Sequence, residues 1–169
     1  DAGSPGLLFP MVQTPEEAVA AVRASRYPPR GIRGVSGSTR ANKFGRVKDY
    51  FSRVEDETAV LMQVETASAI RKAVQIADQD GVDGVFFGPA DIAADMGLLG
   101  QPLNKAVWDM IRPVAEELMA RGVPVGTLVT DADFARELVQ RGFLFVACGT
   151  DAGLLTRGAD GLLAAMKSG

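Results

Sequence analysis

Short apolar runs alternate with amphipathic stretches along the chain. The apolar runs at residues 6–12, 58–65, 82–88, 123–129 and 143–148 are predicted to be strands, and each is followed by a stretch with helical spacing. The first helix begins at Thr14, whose hydroxyl can cap it, with Pro15 at the first helical position and Glu17 placed to close a capping box. The pattern predicts five βα units without a linker.

Repeated βα units with nearly continuous apolar strands indicate a parallel sheet covered by helices, either an open doubly wound sheet or a closed barrel. The strand at 58–65 favours the barrel, because its alternation puts Leu61, Gln63 and Glu65 on one face and the apolar residues 60, 62 and 64 on the other. A (β/α)8 TIM barrel takes about 250 residues. We therefore expect residues 1–169 to be a single domain, the C-terminal part of a TIM barrel with its last five βα units.

Composition narrows the function classes. The net charge is −3 and the pI about 5.0, so there is no basic field that would attract nucleic acid or anionic lipid. No apolar stretch approaches the roughly 20 residues that span a bilayer. The single cysteine, Cys148, lies in an apolar run and is expected to be buried, which fits a reducing, cytoplasmic setting.

Two features of the sequence suggest that part of an enzyme is missing from it. The chain contains no histidine, the commonest general base, and it does not begin with methionine. We expect it to be a fragment of a longer protein.

Carboxylates stand where predicted strands end. Glu65 ends the strand at 58–65, and Asp91 follows a Gly-Pro turn after the next strand. In a barrel, functional side chains collect at the carboxyl ends of the strands, and two oxygen ligands would leave a divalent ion open to substrate. Both acids could equally complement the starts of helices. Spacing alone leaves both interpretations open.

Five segments resemble the HpcH/HpaI aldolase family. They are residues 26–35, 38–42, 63–66, 81–91 and 145–151, and they occur in the family's order and spacing over essentially the whole chain. Residues 34–45 are most similar to the 2-dehydro-3-deoxyglucarate aldolases of that family. The resemblance implies a TIM barrel of the phosphoenolpyruvate/pyruvate superfamily.

The resemblance also implies a site. In it, Glu65 and Asp91 bind the metal, which is Mg2+ or Mn2+, with Co2+ as a further option, and Gln63 lines the pyruvate site. The backbone amides of Ala90 and Asp91 bind the pyruvate carboxylate, and Leu128 lies beside the aldehyde product. The family's histidine base and pyruvate-binding arginine belong to strands that precede this region.

The implied reaction is the retro-aldol cleavage of a 4-hydroxy-2-oxo sugar acid. The expected substrate is 5-keto-4-deoxy-glucarate, which gives pyruvate and a semialdehyde. No lysine ends a predicted strand, which weighs against an aldolase that forms an imine. The family also implies a homo-oligomer, a hexamer built as a trimer of dimers, with the last helix exchanged between neighbours.

Two other functions compete with the aldolase. A lyase related to the citrate lyase β chain would use acyl-CoA thioesters, but no basic patch for CoA lies near the strand ends. A catalytically incomplete barrel could act only as an assembly module, an idea that the absence of histidine motivates. Arg33 and Arg40, in the Gly- and Pro-rich loop, are interpreted as packing or subunit-contact residues.

Overall fold

The computed structural model describes residues 1–167, in which five strands alternate with eight helices. In chain order these are β1 (Gly6–Phe9), α1 (Pro15–Ser25), α2 (Tyr50–Arg53), β2 (Ala59–Val64), α3 (Ala67–Ile70), α4 (Ala73–Ala77), β3 (Gly84–Phe87), α5 (Pro89–Asp95), α6 (Lys105–Ala120), β4 (Val125–Leu128), α7 (Ala132–Gln140), β5 (Phe145–Ala147) and α8 (Asp151–Lys167). The five predicted strands are confirmed, each shorter than the apolar run that indicated it.

The strands form one parallel sheet in the order β1-β2-β3-β4-β5. A doubly wound sheet reverses its strand order at a switch point, whereas a barrel keeps neighbours in sequence as neighbours in space. The fold is therefore a curled half of a TIM barrel with helices on its outside, as the alternation in β2 predicted.

The two faces of β2 separate as predicted. Val60, Met62 and Val64 are 0% exposed and belong to the core between sheet and helices. Leu61 and Gln63 are only partly buried on the other face. The core therefore lies outside the sheet, and the concave face is left for function.

Helix α6 buries one face, whose apolar residues recur at helical spacing. That face consists of Trp108, Ile111, Ala115 and Leu118, each at most 2% exposed. Pro113 lies inside the helix, and its exposed position turns the proline away from the core. The face is structural, because it packs in the main hydrophobic core.

Two expectations are corrected by the structure. The helix predicted after Glu65 is interrupted, because Lys72 adopts φ −110° and ψ 3° and so separates α3 from α4. Cys148 is exposed rather than buried. The reason is that it follows β5, an outer strand of the sheet, where Phe145 is also 50% exposed.

The last helix stands apart from the core. None of the residues of α8 is buried, although it carries Leu154, Leu155, Leu162, Leu163 and Met166, which are 52–76% exposed.

Across residues 1–167, no helix combines the length and the apolar character needed to cross a membrane.

Candidate metal and substrate site

The carboxyl ends of β2 and β3 bring two acids to one edge of the sheet. Parallel pairing sets Val64 beside Phe87, the last residues of the two strands. Glu65 follows β2 directly, and Asp91 lies in the first turn of α5, which begins at Pro89 after β3. The order of the strands therefore places the two carboxylates next to each other.

Glu65 is a buried carboxylate held from two sides. The residue is 4% exposed. Its Oε2 accepts a hydrogen bond from the Met11 backbone N–H at 2.7 Å, and its Oε1 accepts one from Gln63 Nε2 at 2.6 Å. Met11 adopts φ 55°, a left-handed conformation that is uncommon outside glycine and often marks functional sites. These contacts fix the side chain at the strand end.

The electrostatics of Glu65 fit a cation site. Burial raises the pKa of Glu65, the Met11 hydrogen bond opposes this by lowering it, and the nearby Asp91 carboxylate raises it further, so that the net pKa is raised. A cation bound between Glu65 and Asp91 would remove both the repulsion and the cost of burying a charge. The donors are carboxylate oxygens, which suit Mg2+ and Mn2+, so the residues present fit such an ion.

Gly88 is required by the space around Glu65. A Cβ at this position would lie 2.7 Å from Glu65 Oε1 and 2.8 Å from its Cγ. The backbone of Gly88, at φ −101°, would suit other residues, so it is the close approach that demands glycine. Gly88 is also the N-cap of α5 and makes no side-chain cap hydrogen bond. The amides of Ala90 and Asp91, in the first turn, are therefore not capped by that residue.

The predicted site residues share one edge of the sheet. Gln63 lies on the concave face and contacts Glu65, while Leu128 ends β4 and is 37% exposed. Ala90 is exposed on the first turn of α5. The structure brings Gln63, Glu65 and Asp91 together as one cluster, with Leu128 at the end of the strand after β3.

Several contacts behind the pair had not been predicted. The Thr66 hydroxyl donates a hydrogen bond to Gln13 Oε1 at 2.7 Å, and its oxygen accepts one from the Ala69 N–H. Asp95 accepts a hydrogen bond from the Ala67 N–H at 2.9 Å. The sequence did carry one indication of this arrangement. Asp91 and Asp95 are four residues apart, a spacing that places two side chains on the same face of a helix.

The two acids stand as a pair. Among residues 1–167 no group of three or more Cys, Asp and Glu side chains is placed to hold a metal. Cavities of about 740 and 770 Å3 lie elsewhere, one beside β1 and one at the amino end of the strands.

The loop arginines take structural roles where the structure shows their contacts. Arg33 forms an ion pair with Asp1 at 2.7 Å and lies over the ring of Tyr27, 4.3 Å from its centroid. Arg40 is exposed. The contacts of Arg33 agree with the packing interpretation.

A parallel half-barrel with clustered acids at the carboxyl edge is the architecture of TIM-barrel proteins that carry their sites at the strand ends. The family model for HpcH/HpaI aldolase/citrate lyase matches residues 1–158, and the chain belongs to this family. The resemblance seen in the five segments is thus confirmed.

Related proteins extend this assignment. The chain is 47% identical over 165 residues to a 4-hydroxy-2-oxo-heptane-1,7-dioate aldolase of Klebsiella pneumoniae and 45% identical to one of Escherichia coli, matching 97% of this chain in both cases. It spans 62% and 63% of those two relatives. A crystal structure of a family protein from Burkholderia cenocepacia superposes with a TM-score of 0.90 at 35% identity, covering 98% of this chain and 66% of that one.

Proposed function

We propose that the protein containing this chain is a metal-dependent, class II aldolase that cleaves a 4-hydroxy-2-oxo acid to pyruvate and an aldehyde. The observation that carries the proposal is the buried Glu65 beside Asp91 at adjacent strand ends. The similar proteins of Klebsiella pneumoniae and Escherichia coli are named as aldolases. Since no histidine is present, we expect the chain alone to release little pyruvate.

The proposed roles follow from the positions of the side chains. Glu65 and Asp91 hold Mg2+ or Mn2+, with Gln63 keeping the Glu65 carboxylate in place. When bound, the ion supplies a Lewis acid that stabilises the negative charge developing on the pyruvate unit. The amides of Ala90 and Asp91 receive the pyruvate carboxylate, because uncapped first-turn N–H groups favour anions.

The bond changes divide between this chain and the rest of the protein. A base outside the chain takes the proton of the C4 hydroxyl, the C3–C4 bond breaks, and its electron pair passes to the pyruvate unit. Protonation at C3 completes pyruvate, and C4 leaves as the aldehyde. Leu128, which is half-exposed at the end of β4, gives the aldehyde a partly apolar wall.

Two dicarboxylates compete as the substrate. Residues 36–42 favour 5-keto-4-deoxy-glucarate, which would give tartronate semialdehyde, whereas the names of the relatives favour 4-hydroxy-2-oxoheptanedioate. Apolar pockets separate such compounds weakly, so we expect both to react. We propose a higher kcat/KM for the glucarate-derived compound with Mg2+ present, and a ratio below one would overturn this choice without affecting the aldolase chemistry.

We further propose a cytoplasmic homo-oligomer, the hexamer built as a trimer of dimers that the family resemblance implies. The apolar side chains of α8, which are 52–76% exposed, support an association between subunits.

The test of the proposed site is metal binding by the full-length protein. Glu65→Gln and Asp91→Asn should each reduce the affinity for Mn2+, measured by titration calorimetry, and abolish Mn2+-dependent pyruvate release. Asp131→Asn is the matched control. Asp131 is also an acid that follows a strand, here β4, but it caps α7 by accepting the Phe134 N–H. Unchanged Mn2+ affinity in both site variants would refute the assignment.

A further inference from the structure

We propose that Asp95 is a positioning residue for the metal site. It accepts a hydrogen bond from the backbone of the β2–α3 turn and thereby sets the separation of Glu65 and Asp91. The inference rests on the proposed function and assigns a role to a residue that does not itself bind the ion.

The geometry links the two ligand-bearing segments directly. Asp95 Oδ2 accepts the Ala67 N–H at 2.9 Å, and Ala67 lies two residues after Glu65. Asp95 is the last residue of α5, and Asp91 lies one helical turn before it. Residues four apart share a helix face, so Asp91 and Asp95 both project toward the end of β2.

A mechanical link is needed at this point because the two carboxylates repel each other. On the β1 side, the strand end is held by the Met11 N–H on Glu65 and by the Thr66 hydroxyl on Gln13. Asp95 supplies the corresponding bond on the β3 side.

The carboxylate of Asp95 has no competing use in the part of the chain described. No Lys or Arg side chain forms an ion pair with it, in contrast to exposed acids such as Asp78 and Asp109. Its hydrogen bond goes to a backbone amide at a helix start, where the N–H has no partner within the helix. The contact is therefore specific to the turn that carries Glu65.

The experiment removes either partner of this hydrogen bond in the full-length protein. Asp95→Ala removes the acceptor. Ala67→Pro removes the donor and keeps the charge of Asp95. Ala67 is the first residue of α3, where proline is favoured, and the preceding Thr66, at φ −133° and ψ 157°, already has the conformation that a following proline requires. The exposed Asp95 side chain can rotate away from the ring.

Binding of Mn2+ is read from the electron paramagnetic resonance signal of the free ion. Both variants should weaken binding about tenfold, the size of effect typical for groups that orient metal ligands. The double variant should be no weaker than either single one, because both break the same contact. Asp95→Asn should restore most of the affinity, since an amide oxygen can still accept the Ala67 N–H.

Asn104→Ala is the matched control. Asn104 caps α6 by accepting the Ala106 N–H at 3.0 Å, so the variant also removes a side-chain acceptor at a helix start. Helix α6, however, carries no proposed metal ligand. The control variant should lower the thermal unfolding midpoint without changing Mn2+ affinity. Wild-type affinity in Asp95→Ala or Ala67→Pro would overturn the inference, as would an Asp95→Asn variant as weak as Asp95→Ala. Should Glu65→Gln and Asp91→Asn both bind Mn2+ like the wild type, the proposed function itself fails, and this inference fails with it.

Discussion

The close approach of Gly88 to Glu65 allows a test that removes none of the polar groups of the site. In Gly88→Ala the new methyl group would start 2.7 Å from Glu65 Oε1, whereas ordinary contact begins at 3.4 Å. The carboxylate must then retreat by about 0.7 Å. Hydrogen bonds of 2.6 and 2.7 Å hold it from two sides, so this movement breaks or bends at least one of them.

The size of the effect follows from those two bonds. A hydrogen bond to a charged group contributes about 1.5–3 kcal/mol, so we expect the free energy of unfolding to fall by about 2 kcal/mol. Misplacing a ligand should also weaken Mn2+ binding, by roughly 10- to 100-fold on the scale known for disturbed ligand orientation. The backbone of Gly88, at φ −101°, tolerates alanine, so strain in the chain does not contribute.

Urea unfolding and Mn2+ calorimetry measure the two effects. Gly37→Ala is the control, because a Cβ there meets no atom within 4 Å and the backbone is outside the left-handed region. It should change neither quantity beyond a few tenths of a kcal/mol. If Gly88→Ala bound Mn2+ as tightly as the wild type, the site would tolerate a displaced Glu65, and the reasoning from this contact would be wrong.

Two further predictions concern pH and assembly. The raised pKa of Glu65 means that the folded state holds this proton more tightly than the unfolded state, whose value is 4.5, so the metal-free protein should lose stability as pH rises from 4.5 through the folded pKa. In Glu65→Gln this loss of stability should disappear. Urea unfolding near neutral pH, with a chelator present, should therefore find the variant more stable than the wild type. A variant less stable than the wild type under these conditions would contradict the direction of the pKa shift. Leu155→Glu with Leu163→Glu on α8 should dissociate the proposed oligomer in light scattering, while Asp160→Lys, at an already polar position of α8, should not. A monomeric wild type would contradict the assembly.

The fold and the location of the acids could be predicted because they depend on local pattern. Alternation in β2 separated the core residues Val60, Met62 and Val64 from Gln63 and showed where the strand ends. Parallel βα order then required the ends of neighbouring strands to meet at one edge. The approach of Glu65 to Asp91 follows from these two facts.

The contacts that hold Glu65 could not be predicted in the same way. The Met11 N–H and Glu65 are 54 residues apart in sequence, and their hydrogen bond depends on a left-handed conformation at Met11 that no glycine or asparagine signals. The bond from Ala67 to Asp95 likewise spans 28 residues. The exposure of Cys148 depends on the position of β5 at the edge of the sheet, which an apolar run by itself does not reveal.

Metal affinity and turnover should therefore depend on different parts of the protein. The proposed ligands Glu65 and Asp91 are fixed by contacts among the ends of β1, β2 and β3, all of which pair within this chain. A general base is a separate matter, since the chain has no histidine and covers 62% of its Klebsiella pneumoniae relative. If the ligand geometry is set locally in this way, substitutions at Gly88 or Asp95 should act first on metal affinity. Substitution of a base elsewhere should act on kcat while leaving that affinity unchanged.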